Sequence, residues 1–274
     1  MFDGRVLSIF NLLVSLMILC SSGCASFNAF DATQRVPDES VPLSIVRGEP
    51  NVVLDTTGRL FGIPNRLAIL DRRVDNHDIS AETESELTQY MQQNGLNEVL
   101  VRVNQYDPIG EWKRLVTNRR IRPFWRATFG TYGMLKYTFL PGRVLGGDWY
   151  NPFTDTINLY SDLPEFAISE AAYAADVRSR LNPGAYSSLK EIPFVGLSHE
   201  TRSTEATLEH FGQLDDQDRY EQAQDVLIPN YGADWGGQIA SFLPYGTVIG
   251  RIIGGTTARI SDFVIGKWRK QSNG

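Results

Sequence analysis

A chain of 274 residues, 42% hydrophobic and 21% charged, has the proportions of an ordinary globular protein and apolar material for one large domain or two small ones. Its formal net charge of -6 argues against nucleic acid as a partner, because phosphate binding needs a concentrated basic surface. Its two cysteines, Cys20 and Cys24, both sit near the N-terminus, so the rest of the chain can form neither an internal disulfide nor a Cys-based zinc site.

In chain order, Arg5 precedes an apolar run from Val6 to Cys20, followed by Ser21-Ser22-Gly23-Cys24-Ala25. This is the layout of a secretory signal over residues 1–23, and it is too short for a confident bilayer span. Residues 24–50, with Asp38-Glu39-Ser40 and prolines, read as a polar tether. The composition of 52–54 and 66–74 predicts strands, and Ser80 opens a helix to Asn94 that Gly95 ends. A strand follows at 99–103, then a helix over 108–117 with Ile109, Trp112, Leu115 and Val116 at helical spacing.

Further strands are expected at 134–140 and 156–160, separated by the turn signals Pro141-Gly142 and Gly146-Gly147-Asp148. Asp162, with Glu165 three residues on, reads as the capping box of a helix running to Arg180, where Asn182-Pro183-Gly184 stops it. Helices are expected over 198–212 and 216–227. In the tail, 231–274, Gly246, Gly250 and Gly254 recur every four residues and form a smooth stripe on a helix. That stripe suits packing within the domain, contact with a membrane surface, or self-association. The expected fold class is α+β, a small mixed sheet packed on helices over 51–230 with a C-terminal glycine-rich helical region.

Few residues carry recognisable chemistry. Lys113, Arg114, Arg119, Arg120, Arg122 and Arg126 form a basic cluster that reads as a solvated face or as a surface for anionic lipid or an acidic partner. His77, His199 and His210 read as surface or helix-end residues; the last two, roughly 16 Å apart along one helix, cannot share a metal. No nucleophile elbow, P-loop, dinucleotide fingerprint or calcium loop is present. Aromatics from Trp112 to Phe139 suit either core packing or a groove beside the strand at 156–160.

Two resemblances add to this reading. Gly23-Cys24 resembles the lipobox of bacterial lipoproteins, with Ser21 departing from its usual aliphatic residue; the resemblance implies lipidation at Cys24 and a cell-envelope location. Ala25 lacks the Asp linked to inner-membrane retention, which implies the outer membrane, facing the periplasm. The stretch from 151 to 176 resembles the strand and metal-binding helix of zincin metallopeptidases, but Ser169-Glu170-Ala171-Ala172-Tyr173 stands where H-E-x-x-H would be. Ser198-His199-Glu200-Thr201-Arg202-Ser203-Thr204 resembles the later helix of the gluzincins, with Glu200 at the third-ligand position and Thr204 replacing Asp. The resemblance implies a vestigial site of Ser169, Glu170, Tyr173 and Glu200, with no metal, no cofactor and no catalytic residue. It implies a binding or scaffolding role, with the membrane, an extended peptide or an envelope protein as partner. The alternatives are a hydrolase with an unrecognised site and a structural protein assembling through its tail.

Overall fold

Four short strands form one mixed sheet in the computed structural model, which describes residues 43–272 apart from 141, 146, 193 and 242–245, and side chains as far as 262. Strands β1 (Ser44–Arg47), β2 (Leu100–Val103) and β4 (Thr156–Leu159) run parallel, and β3 (Trp149–Asn151) closes one edge antiparallel to β4, giving the order β1-β2-β4-β3. The register sets Val101 beside Ile157 and Val103 beside Leu159, so one face of the sheet is apolar. The opposite face is polar. There Arg102 Nε donates to Glu111 Oε1 at 2.8 Å, and Thr156 Oγ1 donates to the same oxygen at 3.1 Å.

Among the described residues the α-helices longer than four residues are α1 (Val52–Phe61), α2 (Ile63–Ile69), α3 (Ala81–Gln93), α4 (Pro108–Thr117), α5 (Thr131–Phe139), α6 (Pro164–Ser179), α7 (Pro183–Ser188), α8 (Leu197–Gly212), α9 (Gln217–Ala240) and α10 (Gly246–Ser272). A π-helical stretch, Arg126–Gly130, leads into α5. The class is thus α+β with a small mixed sheet. The apolar sheet face is covered by α3, through Leu87 and Met91, and by α6, through Ala167, Ile168, Ala171 and Ala174. Alanines on α6 let its backbone lie close to the strands, which fixes the height of every side chain on its other face.

Several expectations are corrected. Residues 52–54 begin α1, because Asn51 caps Leu54 N; an N-cap outweighs the weak β-preference of two valines. Residues 66–74 hold the end of α2 and a turn, and 134–140 belong mostly to α5. There Met134 and Tyr137, three apart, are the buried pair, so the helical period prevails over the apparent alternation. Ser44–Arg47, expected within the tether 24–50, joins the sheet as β1. No break falls between 230 and 231, because α9 runs through that point. Asp162 does not cap α6: its Oδ1 accepts from N and Oγ of Ser80, the N-cap of α3, and from Thr83 Oγ1. Pro164 takes the first position of α6, which moves the cap to Leu163 and leaves Glu165 buried in the first turn. The strand at 156–159 is interior, so the sheet edge beside the cleft is β3. Residues 1–23 and Cys24 lie outside the described residues.

Helices α9 and α10 pack through glycine. A β-carbon on Gly250 would lie 2.1 Å from the Gly236 carbonyl oxygen, and one on Gly254 would lie 2.1 Å from that of Gly232. Backbones this close admit no side chain. Gly250→Ala is therefore expected to destabilise the fold by about 1–3 kcal/mol. Gly133→Ala, whose added carbon meets nothing within 4 Å, should instead stabilise it by about 0.5–1 kcal/mol. Denaturant midpoints that shift in opposite directions would support this packing, and equal shifts would contradict it.

Candidate functional site

Helix α6 leaves the sheet after β4 and presents Ser169 and Glu170 to a cleft of about 360 Å³. Asp75, Asp148, Trp149, Glu200, Asp234 and Arg251 also line it, as does Lys190 from the 3-10 turn Leu189–Glu191. The cleft thus gathers five carboxyl groups and two cations. Tyr173, one turn beyond Ser169, lies buried beside it.

Lys190 ties these residues together. Its Nζ lies 2.9 Å from Glu200 Oε1 and 4.2 Å from the centre of the Tyr173 ring. The approach depends on Gly196 at the entry to α8, where a β-carbon would lie 2.6 Å from the Lys190 carbonyl oxygen. The Glu200 carboxylate beside it holds the Lys190 ammonium well above the usual lysine range, even though burial works against the charge. Glu170 Oε2 accepts from Tyr150 N on β3 at 2.7 Å, so this carboxyl group is bound to the edge strand.

Burial pushes the Glu170 carboxyl up to about 8; Glu200 and Asp148 push the same way, while Lys190 and the Tyr150 N–H oppose. Burial likewise raises Asp148 to about 7, reinforced by Asp75 and opposed by the N–H groups of Tyr160 and Ser161. Asp234 is raised by burial and pulled back by Arg251, which pairs with it and whose Nε also donates to Asn65 Oδ1 at 3.2 Å. Tyr173 is pushed to about 12 by burial.

Ser169, Glu170 and Glu200 therefore share one cleft, with Tyr173 adjoining it under the Lys190 ammonium. The partner of Glu200 is Lys190. His199, read as a surface or helix-end residue, is buried between Tyr173 and Tyr186, with ring centres at 5.6 and 4.3 Å. Burial and the Lys190 charge lower it to about 4, so it stays neutral. His77 is also buried, its Nδ1 2.8 Å from Asn104 Oδ1. His210, half-buried near the end of α8, packs edge-on to Tyr90.

The zinc that a gluzincin carries does not fit this donor set. Ser169 and Tyr173 supply no imidazole, and an ammonium with no lone pair is paired with the Glu200 carboxylate. Among the described residues no group of three His, Cys, Asp or Glu is placed to hold a metal ion. Sequence reasoning missed Lys190, Asp148, Asp234 and Arg251. Asp148 read only as part of a turn, and Lys190 belongs to no motif. Arg251 did carry a signal, as a charge interrupting an apolar glycine-rich run that must find a buried partner. No family model, curated protein or solved structure matches this chain.

Two measurements follow from these charges. Carboxyls with folded pKa values near 7 and 8 hold protons that the unfolded chain, titrating near 4, has already released. Their contribution to stability is full below the unfolded value and is lost as pH rises through the folded ones. Denaturant stability should therefore fall between about pH 5 and 8, and Glu170→Gln or Asp148→Asn should flatten that fall; a slope unchanged by both contradicts the assignment. Lys190→Met leaves Glu200 unpaired at a site about three-quarters buried, and should cost about 1–2 kcal/mol. It should also raise the Glu170 pKa further, readable from the carboxyl band in infrared titration.

Proposed function

We propose that the chain is an envelope-anchored, metallopeptidase-like protein that has lost its zinc site and acts by binding or scaffolding. The observation that carries this reading is Lys190. Glu200 and Tyr173 contact the Lys190 ammonium, whose charge also opposes the burial that raises Glu170, and Ser169 lines the same cleft. Order along the chain supports it as well: a strand, then the helix bearing Glu170, then the helix bearing Glu200. The partner proposed is an extended peptide or another envelope protein, held at the cleft beside β3. Anchoring through a lipid on Cys24 is part of the proposal and rests on the Gly23-Cys24 pair.

One observation favours a second reading, a metal-independent hydrolase. Glu170 and Asp148, with pKa values raised to about 8 and 7, line the same cleft, and a carboxylic acid protonated near neutral pH is suited to general acid catalysis. Assembly through the glycine stripe has less support, since Gly250 and Gly254 already face α9 of the same chain.

Elemental analysis of the purified chain separates these readings. The wild type is expected to hold no stoichiometric zinc and to cleave no peptide at any metal supplement. Stoichiometric zinc that disappears in Glu200→Ala would overturn the non-catalytic reading, and metal-free hydrolysis abolished by Glu170→Gln would establish the second.

A further inference from the structure

The hairpin of α4 and α5 carries surface chemistry that the cleft does not use. Glu111, Arg114 and Leu115 turn one side of α4 toward the sheet: Glu111 binds Arg102, Arg114 Nε donates to Thr154 O at 2.8 Å, and Leu115 is buried. The opposite side carries Ile109, Lys113 and Val116, at helical spacing and all exposed. On α5, Met134 and Tyr137 are buried, and Tyr132, Leu135, Lys136 and Phe139 occupy the outer side. Trp112 Nε1 donates to Thr138 Oγ1 at 3.1 Å, and Arg126 NH1 donates to Leu115 O at 3.2 Å, so the two helices lie side by side with opposed directions. Arg119, Arg122 and Phe124, all exposed, lie in the connection between them.

Large apolar side chains and cations therefore alternate over one surface. Ile109 is 83% exposed and Phe139 76%, which costs burial that the fold leaves unrealised. Among the described residues Lys113, Arg119 and Arg122 make no ion pair. The carboxylates around them are already engaged: Asp107 and Glu111 by Arg102, Glu98 by Arg120 and Arg178, and Glu191 by Lys136. In a chain of net charge -6, this is a locally uncompensated positive surface.

We infer that the outer face of the α4–α5 hairpin docks on a bilayer surface rich in anionic lipid, with Ile109, Val116 and Phe139 at the acyl boundary and Lys113, Arg119 and Arg122 among the headgroup phosphates. Cations alone would suit any polyanion; exposed aliphatic and aromatic side chains between them favour an interface that is apolar beneath its charge. The apolar run from Val6 to Cys20 precedes the described body, and the roughly 18 residues between Cys24 and Leu43 reach up to about 60 Å when extended, enough to let this face meet the membrane. The inference rests on the N-terminal anchoring of the proposed function and not on the zincin resemblance.

The test is amide hydrogen exchange on the full chain incorporated into phosphatidylcholine vesicles, with or without phosphatidylglycerol. The N-terminal anchoring proposed above would hold the protein to both kinds of vesicle, so a difference between them reports the face. Slower exchange over 109–116 and 132–139 is expected only with phosphatidylglycerol, weakening as salt rises. The triple variant Lys113→Gln, Arg119→Gln, Arg122→Gln should lose that protection, with affinity for the anionic surface falling roughly fivefold per cation. Ile109→Ser with Phe139→Ser should weaken it while leaving the melting midpoint unchanged. Equal exchange in both vesicle types would overturn the inference. So would equal protection by soluble polyphosphate without vesicles, which would assign the face to a polyanion. Should the triple variant melt early, the salt dependence of the wild type decides alone, and protection insensitive to salt overturns the proposal.

Discussion

Glu170 and Glu200 enter the same cleft from two different helices, and burial with the neighbouring carboxylate keeps Glu170 protonated up to about pH 8. Lys190 is the cation that answers Glu200. The ammonium pairs directly with Glu200, covers the Tyr173 ring and offsets part of the burial that drives Glu170 toward its neutral form. Its position is set by the backbone, since the turn carrying Lys190 approaches Gly196 more closely than any side chain allows. One ion pair thus joins the turn after α7 to α8 and, through Tyr173, to α6. Glu170 extends the link to the edge strand β3 through Tyr150 N.

The same economy of space governs the opposite wall. Helices α9 and α10 meet at glycines, and this brings Arg251 within reach of Asp234 and Asn65 at the rim of the cleft. A bulkier contact would move α10 outward and leave Asp234, already raised by burial, without its cation. Small residues therefore serve electrostatics here as well as packing, because the charges can be paired only where backbones come close. Alanines do similar work on α6, where close packing on the sheet fixes the reach of Ser169 and Glu170.

Local signals were read well where they were self-sufficient. Ser80 as a cap, Pro108 opening α4 and the strand at 156–159 all depend on neighbours in sequence, and all stand where the sequence placed them. Asp162 shows how such a signal misleads: a carboxylate before a helix has the composition of a cap, yet its hydrogen bonds go to Ser80 and Thr83, about eighty residues earlier. At 134–140 the alternation of apolar and polar types was real, but contacts with α4 selected the helical period. At the candidate site, Ser169, Glu170, Tyr173 and Glu200 were singled out through the resemblance, and helix spacing explains why the first three lie together on α6. Lys190 was not, because what places it is a backbone approach at Gly196, and His199 was misjudged because its burial depends on tyrosines from two other helices.

On the proposed reading an ammonium sits where a zincin would hold its metal, with Ser169 and Tyr173 at the places of the two histidines. Crystals grown in excess zinc, with diffraction collected at the zinc absorption edge, test that claim most directly. The account predicts no anomalous peak within coordination distance of Glu170 or Glu200, with the Lys190 Nζ to Glu200 contact retained. A peak between those two carboxylates, with Lys190 displaced into solvent, would contradict it.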